Sequence, residues 1–374
     1  MSGHRTFVEA LARFAAGAAD GRVTAIAERA AAPLRVVVRG RRGVGRRTVA
    51  DALGRAGAAS GLLVTTQPDG DHDEDAQDED VVVCVITEVL KPEDIEAIAA
   101  ARSPVLAVLN KADLAGSLSG RGGDGPIAAA RTRCAQLSAL AGVPMEPMIG
   151  LLAGAGLDAF DQDVWAAVRL LAASNSGSAH FHALFECSCD GFLAPDSPAG
   201  AVPIGLRQRL LDSLDLFGTA LAVAAVRRGA TAPQVRALLR RVSRVDAVVD
   251  KVGALGAEAR YRRVLDAVAE LEALAVTEEG IEERISEFLS RDDTLVARMV
   301  AAVDLAEASG LDVGDCDDSA PHLPRATRWQ RYSLGKLGPV SDLHRACGAD
   351  IARASLRLWS QTRGSLLEAD GELR

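Results

Sequence analysis

The hydrophobic pattern of the chain changes period at Pro33. Before it, apolar residues recur at helical spacing and predict one helix over residues 6–32. After it, a short β-branched run at 34–38 leads into a glycine-rich turn at 40–45 and a helical stretch at 48–59. Strand, glycine turn and helix, in this order, form the phosphate-binding unit of α/β proteins.

The same alternation of strands and helices continues to residue 173. Apolar runs predict strands at 62–66, 81–87, 105–109 and 145–151, and helical spacing predicts helices at 92–101, 126–141 and 158–173. Strands separated by helices predict an α/β fold over residues 34–173, a doubly wound and mostly parallel sheet with helices on both faces.

The composition changes after residue 173. Residues 174–204 are rich in small polar residues, proline and glycine, and predict a linker. No strand pattern occurs over 205–310, where end-capping residues and apolar stripes predict an all-α bundle of four or five helices. Residues 311–374 form an Arg- and Trp-containing C-terminal tail, and residues 1–33 an N-terminal helix.

The charge balance limits the classes of partner. The chain has 42 basic and 51 acidic residues, a net charge of −9, and no sustained Lys/Arg tract. A specific nucleic-acid partner is not expected, because such binding depends on neutralising phosphates. Six cysteines without a secretory leader predict a reduced, cytoplasmic protein. The apolar run at 214–226 is shorter than the roughly 20 residues of a spanning helix.

A candidate phosphate loop follows the first predicted strand. It approaches the P-loop pattern G-x-x-x-x-G-K-[ST], in which backbone N–H groups cradle phosphates, a lysine reaches the β and γ positions and a hydroxyl binds magnesium. Arginines replace the lysine and the hydroxyl residue, and a threonine comes one place late. The alternative is a tight turn with solvated arginines. The candidate phosphate-binding residues are Gly40, Gly43, Val44, Gly45, Arg46, Arg47 and Thr48.

A second motif, N-K-x-D, directly follows the predicted strand 105–109. It consists of Asn110, Lys111 and Asp113 around an alanine. The chain has only two asparagines and four lysines, so chance would produce the pattern on the order of 0.002 times. Chance is therefore not the explanation.

With both motifs present, residues 34–173 resemble the Era-like branch of translation-factor-class small GTPase domains. The segment 80–94 is similar to the strand and helix that precede N-K-x-D in that family. The tripeptide at 156–158, Gly-Leu-Asp, is similar to the start of the family's last helix. The resemblance implies a P-loop GTPase-like sheet.

The resemblance also implies a ligand, GTP or GDP, and a role for each residue of the second motif. Asp113 would accept hydrogen bonds from the guanine N1–H and 2-amino group, while Asn110 and Lys111 would support the base and the loop. The Ser-Ala loop of the family would fall near residues 149–151, and it is absent.

The departures from the family concern catalysis. Only 32 positions separate Thr48 from Asp80, too few for the family's helix, switch loop, two strands and D-x-x-G loop. Residues 66–70 look like a decayed D-T-P-G that lacks its first aspartate. Magnesium therefore has no dependable protein ligand, no catalytic residue is assigned, and weak or absent hydrolysis is expected.

Two further groups of residues suggest metal binding. Eight acids lie within residues 69–80, but an acid stands where an EF-hand needs glycine, so a solvated acidic loop is favoured. On a strand of period two, His180 and His182 would face away from Cys187 and Cys189. Buried cysteines are therefore favoured over a zinc site.

Three functional hypotheses follow. The favoured one is a guanine-nucleotide-binding, GTPase-like regulatory protein with impaired or absent hydrolysis, which acts on a protein partner through residues 205–374. The first alternative is a pseudo-GTPase scaffold that binds no nucleotide. A weaker alternative, based on the layout of helices around the sheet domain, is a dynamin-like protein with peripheral membrane contact.

Overall fold

The computed structural model describes residues 3–67, 79–116, 125–173, 188–197, 199–278, 280–314 and 322–371, the last ten of them by backbone only. The chain forms two compact units. The first combines Met1–Leu34 with Ala254–Arg374, and the second, which contains the sheet, comprises Arg35–Gly253.

This division passes through the predicted helical bundle 205–310. Its first helices share a core with the sheet, and the later ones share a core with the N-terminal helices. The apolar face of the N-terminal helices explains this grouping, because Phe7 and Leu11 are fully buried in the same core as Tyr261 and Leu271.

The sheet has five strands, β1 Leu34–Arg39, β2 Leu62–Thr66, β3 Val81–Ile86, β4 Val105–Leu109 and β5 Met145–Pro147. All strands are parallel, in the order β2-β1-β3-β4-β5. Every residue of β3 and β4 is buried, as in a parallel sheet with both faces covered. The predicted α/β class with a parallel sheet is confirmed.

The helices are numbered along the whole chain, beginning with α1 Gly3–Ala18 and α2 Gly21–Ala30 of the first unit. The sheet-containing unit adds α3 Arg46–Gly57, α4 Pro92–Ala99, α5 Pro126–Ala141, α6 Gly150–Leu157, α7 Gln162–Ala173, α8 Cys189–Leu193, α9 Ile204–Arg227, α10 Ala232–Ser243 and α11 Val245–Leu255, whose last two residues belong to the first unit. The first unit is completed by α12 Ala257–Thr277, α13 Glu282–Ser290, α14 Asp292–Ala308, α15 His322–Ser333 and α16 Asp342–Gly371.

Several predicted elements differ from the observed ones at their ends. The predicted helix 6–32 is two helices, because the Asp20 carboxylate accepts from the Arg22 N–H and starts α2 afresh. The predicted strand 145–151 ends at Pro147, because α6 begins at Gly150. Strands 62–66 and 105–109 and helix 126–141 have their predicted bounds.

Two helical stretches within 205–310, the region predicted to be helical, are interrupted by residues with positive φ. Asp215, inside α9, has φ 57° and ψ −178°. Arg244, with φ 65°, separates α10 from α11. Across the part of the chain that the structure describes, no helix is long and apolar enough to cross a membrane.

Candidate phosphate and base site

The turn between β1 and α3 depends on glycines with positive φ. Gly40, Gly43 and Gly45 have φ values of 153°, 86° and 83°. A Cβ on Gly40 would lie 2.7 Å from the carbonyl oxygen of Val85, so the turn runs directly against β3. Glycine alone combines these backbone angles with so close an approach. Because α3 begins immediately after the turn, the turn lies at a helix N-terminus, where anions are favoured.

The residues that follow the turn lie in the first turn of α3. Arg46 is half-buried, and its Nη1 donates to the carbonyl oxygen of Gly40 over 3.2 Å, so the guanidinium reaches back across the turn. Arg47 and Thr48 are exposed. The methyl group of Thr48 faces the start of α6, because a Cβ on Gly150 would lie 3.4 Å from it.

Asn110 joins the turn to the end of β4 and to the start of α6. Its Nδ2 donates to the carbonyl oxygen of Val44 over 2.8 Å, and its Oδ1 accepts from the N–H of Gly150 over 2.9 Å. Both Asn110 and Val44 are buried. A Cβ on Gly45 would come within 2.4 Å of the same Nδ2. The candidate phosphate residues and the candidate base residues thus meet at one side chain.

The rest of the base motif forms a short 3-10 turn, Ala112–Ala115. Lys111 precedes this turn with φ 57° and an exposed side chain, whereas Asp113 is buried. Burial raises the pKa of Asp113, its own backbone N–H lowers it, the nearby Asp215 carboxylate raises it and Lys111 lowers it. A buried carboxylate in this state gains most from a ligand that supplies N–H donors.

Asp215, in the kink of α9, acts electrostatically on Asp113 and raises its pKa, and the sequence analysis did not identify it. Its Oδ1 accepts from the N–H of Leu216 over 2.7 Å and lies 3.9 Å from the Sγ of Cys189. Its carbonyl oxygen accepts from the hydroxyl of Thr219 over 2.6 Å. The only sequence clue is the tolerance of aspartate for positive φ, which is too general to select this residue.

The loop after β5 occupies the place expected for the Ser-Ala loop. The N–H of Ile149 donates to the carbonyl oxygen of Ser243, at the end of α10, over 3.0 Å. The next N–H, from Gly150, is taken by Asn110. Backbone donors of this loop are therefore committed to the fold of the sheet-containing unit.

An ion pair between the glycine turn and α4 was also missed by the sequence analysis. The Nε of Arg41 lies 2.8 Å from Oδ1 of Asp94, whose side chain is 1 % exposed. The Asp94 carboxylate also accepts from the N–H of Lys91 over 3.0 Å. The paired carboxylate raises the pKa of Arg41. Because 53 positions separate Arg41 from Asp94, no local pattern connects them.

The acidic and metal hypotheses fall largely on residues outside the described part of the chain. This applies to residues 69–78 and to His180, His182 and Cys187. The last two acids of the predicted loop are engaged, Glu79 with Arg39 at 2.9 Å and Asp80 with the N–H of Arg35 at 2.7 Å. Among the described residues, no three His, Cys, Asp or Glu side chains form a metal-binding group.

Comparisons with known proteins add no relative, since no family model matches the chain and the searches of curated proteins and of solved structures found no significant match. The geometry therefore carries the functional argument. It brings together a glycine turn with arginines and the Asn110 amide that bonds to this turn, and the buried Asp113 carboxylate follows three positions later in the chain. This set is suited to binding a phosphorylated ligand with N–H donors.

Proposed function

We propose that this chain is a guanine-nucleotide-binding, GTPase-like regulatory protein whose hydrolysis is impaired or absent. The observation that carries the proposal is the double hydrogen bond of Asn110, to Val44 and to Gly150. It places the glycine turn, the N-K-x-D motif and the loop after β5 around one point, as a site for phosphates and base together requires.

The strand order supports the same location. Ligands of doubly wound sheets bind outside the carboxyl ends of the strands, where the strand order reverses. In the order β2-β1-β3-β4-β5 that point lies between β1 and β3. The glycine turn follows β1 there, and N-K-x-D follows the next strand along, β4. Because several families share this strand order, it supports a nucleotide site in general. The preference for guanine rests on the N-K-x-D motif.

The residues would divide the ligand between them. The turn and the N-terminus of α3 would hold the phosphates, with Arg46 crossing them in place of a lysine. Asp113 would accept from the guanine N1–H and 2-amino group, and those donors would relieve its burial. Asn110 would hold both parts in register.

Weak hydrolysis follows from the phosphate end of the site. Phosphoryl transfer depends on a metal ion and a positioned water. Arg47 stands at the position of the metal-binding hydroxyl, and the methyl group of Thr48 faces Gly150. We therefore propose that nucleotide binding and release, and not hydrolysis, change the state of this protein.

Titration of the full chain with fluorescent GDP, GTP and ATP, with magnesium and with chelator, tests this proposal. We expect GDP and GTP to bind in the micromolar range or tighter, ATP to bind far more weakly, and chelator to change little. No binding at high micromolar concentration would overturn the proposal. A turnover rate typical of a magnesium-dependent GTPase would overturn its catalytic part.

The pseudo-GTPase scaffold is the second candidate, and one observation favours it. Two of the arginines at the site already have partners in the fold, since Arg46 bonds to Gly40 and Arg41 to Asp94. In that case the protein would bind its partner through its helices, without any contribution from a nucleotide. One surface for a protein partner is the cleft of about 490 Å³ beside α15, whose lining is Leu323, Pro324, Thr327, Arg328, Arg331 and Leu337.

A further inference from the structure

We propose that Arg41 pairs with Asp94 in the absence of ligand and binds phosphate when nucleotide is present. When Arg41 changes partner in this way, the segment 87–95 changes its conformation. This inference rests on the proposed function. It assigns a binding role to a residue outside the P-loop pattern, and it gives the chain a responsive segment although the family's switch region has no room in its sequence.

The contact between the two residues is well defined. Arg41 belongs to the glycine turn, between Gly40 and Gly43, and its side chain is 25 % exposed. Asp94 is almost fully buried and accepts both from Arg41 at 2.8 Å and from the N–H of Lys91 at 3.0 Å. Asp94 therefore fixes Arg41 and the first turn of α4 at the same time.

The segment that leads into α4 has the features of one that can rearrange. Glu88 has φ 55°, an uncommon angle for a residue with a long side chain. The N–H of Val89 folds back on the carbonyl oxygen of Thr87 over 2.6 Å. Val89 and Ile95 are 45 % and 47 % exposed. A strained turn and two exposed apolar side chains thus flank the buried carboxylate.

A bound diphosphate would compete with Asp94 for the guanidinium. Phosphate oxygens accept the two parallel N–H bonds of an arginine fork and carry more negative charge than a carboxylate. Arg41 lies in the turn that would hold those phosphates. Glu93, the other acid near Arg41, lies on the same first turn of α4. When Arg41 leaves, Asp94 becomes a buried charge with one backbone donor, which favours movement of that turn towards solvent.

Two variants that break the same ion pair separate this inference from a structural role. Asp94→Asn keeps the shape and an acceptor for Lys91, and it releases Arg41. Arg41→Gln keeps a polar side chain and removes the cation. We expect both variants to speed amide hydrogen exchange over 87–99 without ligand. We expect GDP to bind about tenfold more tightly to Asp94→Asn and about tenfold more weakly to Arg41→Gln, the scale of one charge-assisted hydrogen bond.

The control is Asp158→Asn, which breaks the exposed pair with Arg55 and should change neither quantity. In wild type, GDP and inorganic pyrophosphate should each speed exchange over 87–99. Equal GDP affinity in wild type and Asp94→Asn, or weaker binding in both variants, would overturn the inference and leave the proposed function standing. Failure of wild type and Asp94→Asn to bind either GDP or pyrophosphate would overturn the proposed function, and this inference with it.

Discussion

The side-chain amide of Asn110 donates to the carbonyl oxygen of Val44 across 66 positions of sequence, over 2.8 Å and out of contact with solvent. Through its other end the same amide accepts from the N–H of Gly150. One residue therefore ties the loops that follow β1, β4 and β5 at the carboxyl edge of the sheet, so the stability of this edge depends on a single side chain.

Removal of this amide is the first prediction. Asn110→Ala leaves a buried carbonyl oxygen and a buried N–H without their partner, at about 1–3 kcal/mol each. We expect the free energy of unfolding of the sheet-containing unit to fall by about 2–6 kcal/mol in urea titrations. Gln208→Ala, which removes an amide from exposed α9 surface, is the control and should change it by less than about 0.5 kcal/mol.

A second prediction compares two glycines of the same turn. Gly43 and Gly45 have nearly equal φ values, so Gly→Ala adds similar backbone strain of about 1–2 kcal/mol at each. At Gly43 the new methyl group meets open space, but at Gly45 it lies 2.4 Å from Nδ2 of Asn110. Gly45→Ala should therefore destabilise the protein by about 1–3 kcal/mol more than Gly43→Ala. Equal losses of stability in the two variants would show that the contact between residue 45 and Asn110 does not explain the cost of Gly45→Ala.

The third prediction concerns pH. The pKa of Asp113 is raised in the folded state, which means that the folded state disfavours the charged carboxylate. The contribution of Asp113 to the free energy of unfolding therefore falls as pH rises from its pKa in the unfolded chain to its higher pKa in the folded protein. Guanine binding requires the charged form, so affinity should fall as pH falls through that raised value. Asp215→Asn removes one cause of the shift, and we expect it to move the midpoint of affinity against pH downward. An unmoved midpoint would contradict this account of the site.

A fourth prediction concerns the core of the first unit. Asp350 is buried between Arg298, at 2.7 Å, and the hydroxyl of Tyr261, at 2.9 Å. Asp350→Ala would leave the buried Arg298 guanidinium without this carboxylate, a loss of about 3–5 kcal/mol. Asp246→Ala breaks an exposed pair with Arg240 and should cost less than about 1 kcal/mol. Thermal unfolding of both variants checks the contrast.

The sequence predicted the sheet well because its central strands are continuous apolar runs between helical segments. Residues 105–109 and 126–141 have their predicted bounds. Breaks within helices were not predicted, since the positive φ angles at Asp215 and Arg244 lie within stretches whose apolar periodicity gives no sign of an interruption. The division of the helical region also depended on which surface each helix covers, and periodicity alone does not contain that information.

For the candidate site, the two motifs could be read because each is local. The structure places Gly45 and Asn110 in contact, as a shared site requires. Arg41 with Asp94 could not be predicted, because the pair depends on parallel strands bringing the ends of β1 and β3 together. The electrostatic effect of Asp215 on Asp113 likewise joins residues 102 positions apart, which no local pattern connects.

The most direct test of guanine recognition changes one hydrogen-bonding group on the protein and the matching group on the base. Asp113→Asn keeps the shape of the side chain and replaces one carboxylate oxygen by an amide donor, which suits the 2-oxo group of xanthine and opposes the 2-amino group of guanine. We predict that wild type binds GDP in preference to xanthosine diphosphate, and that Asp113→Asn reverses the preference with a combined change of at least about a hundredfold. If Asp113→Asn kept the same ratio of GDP affinity to xanthosine diphosphate affinity as wild type, the proposed role of Asp113 would be contradicted.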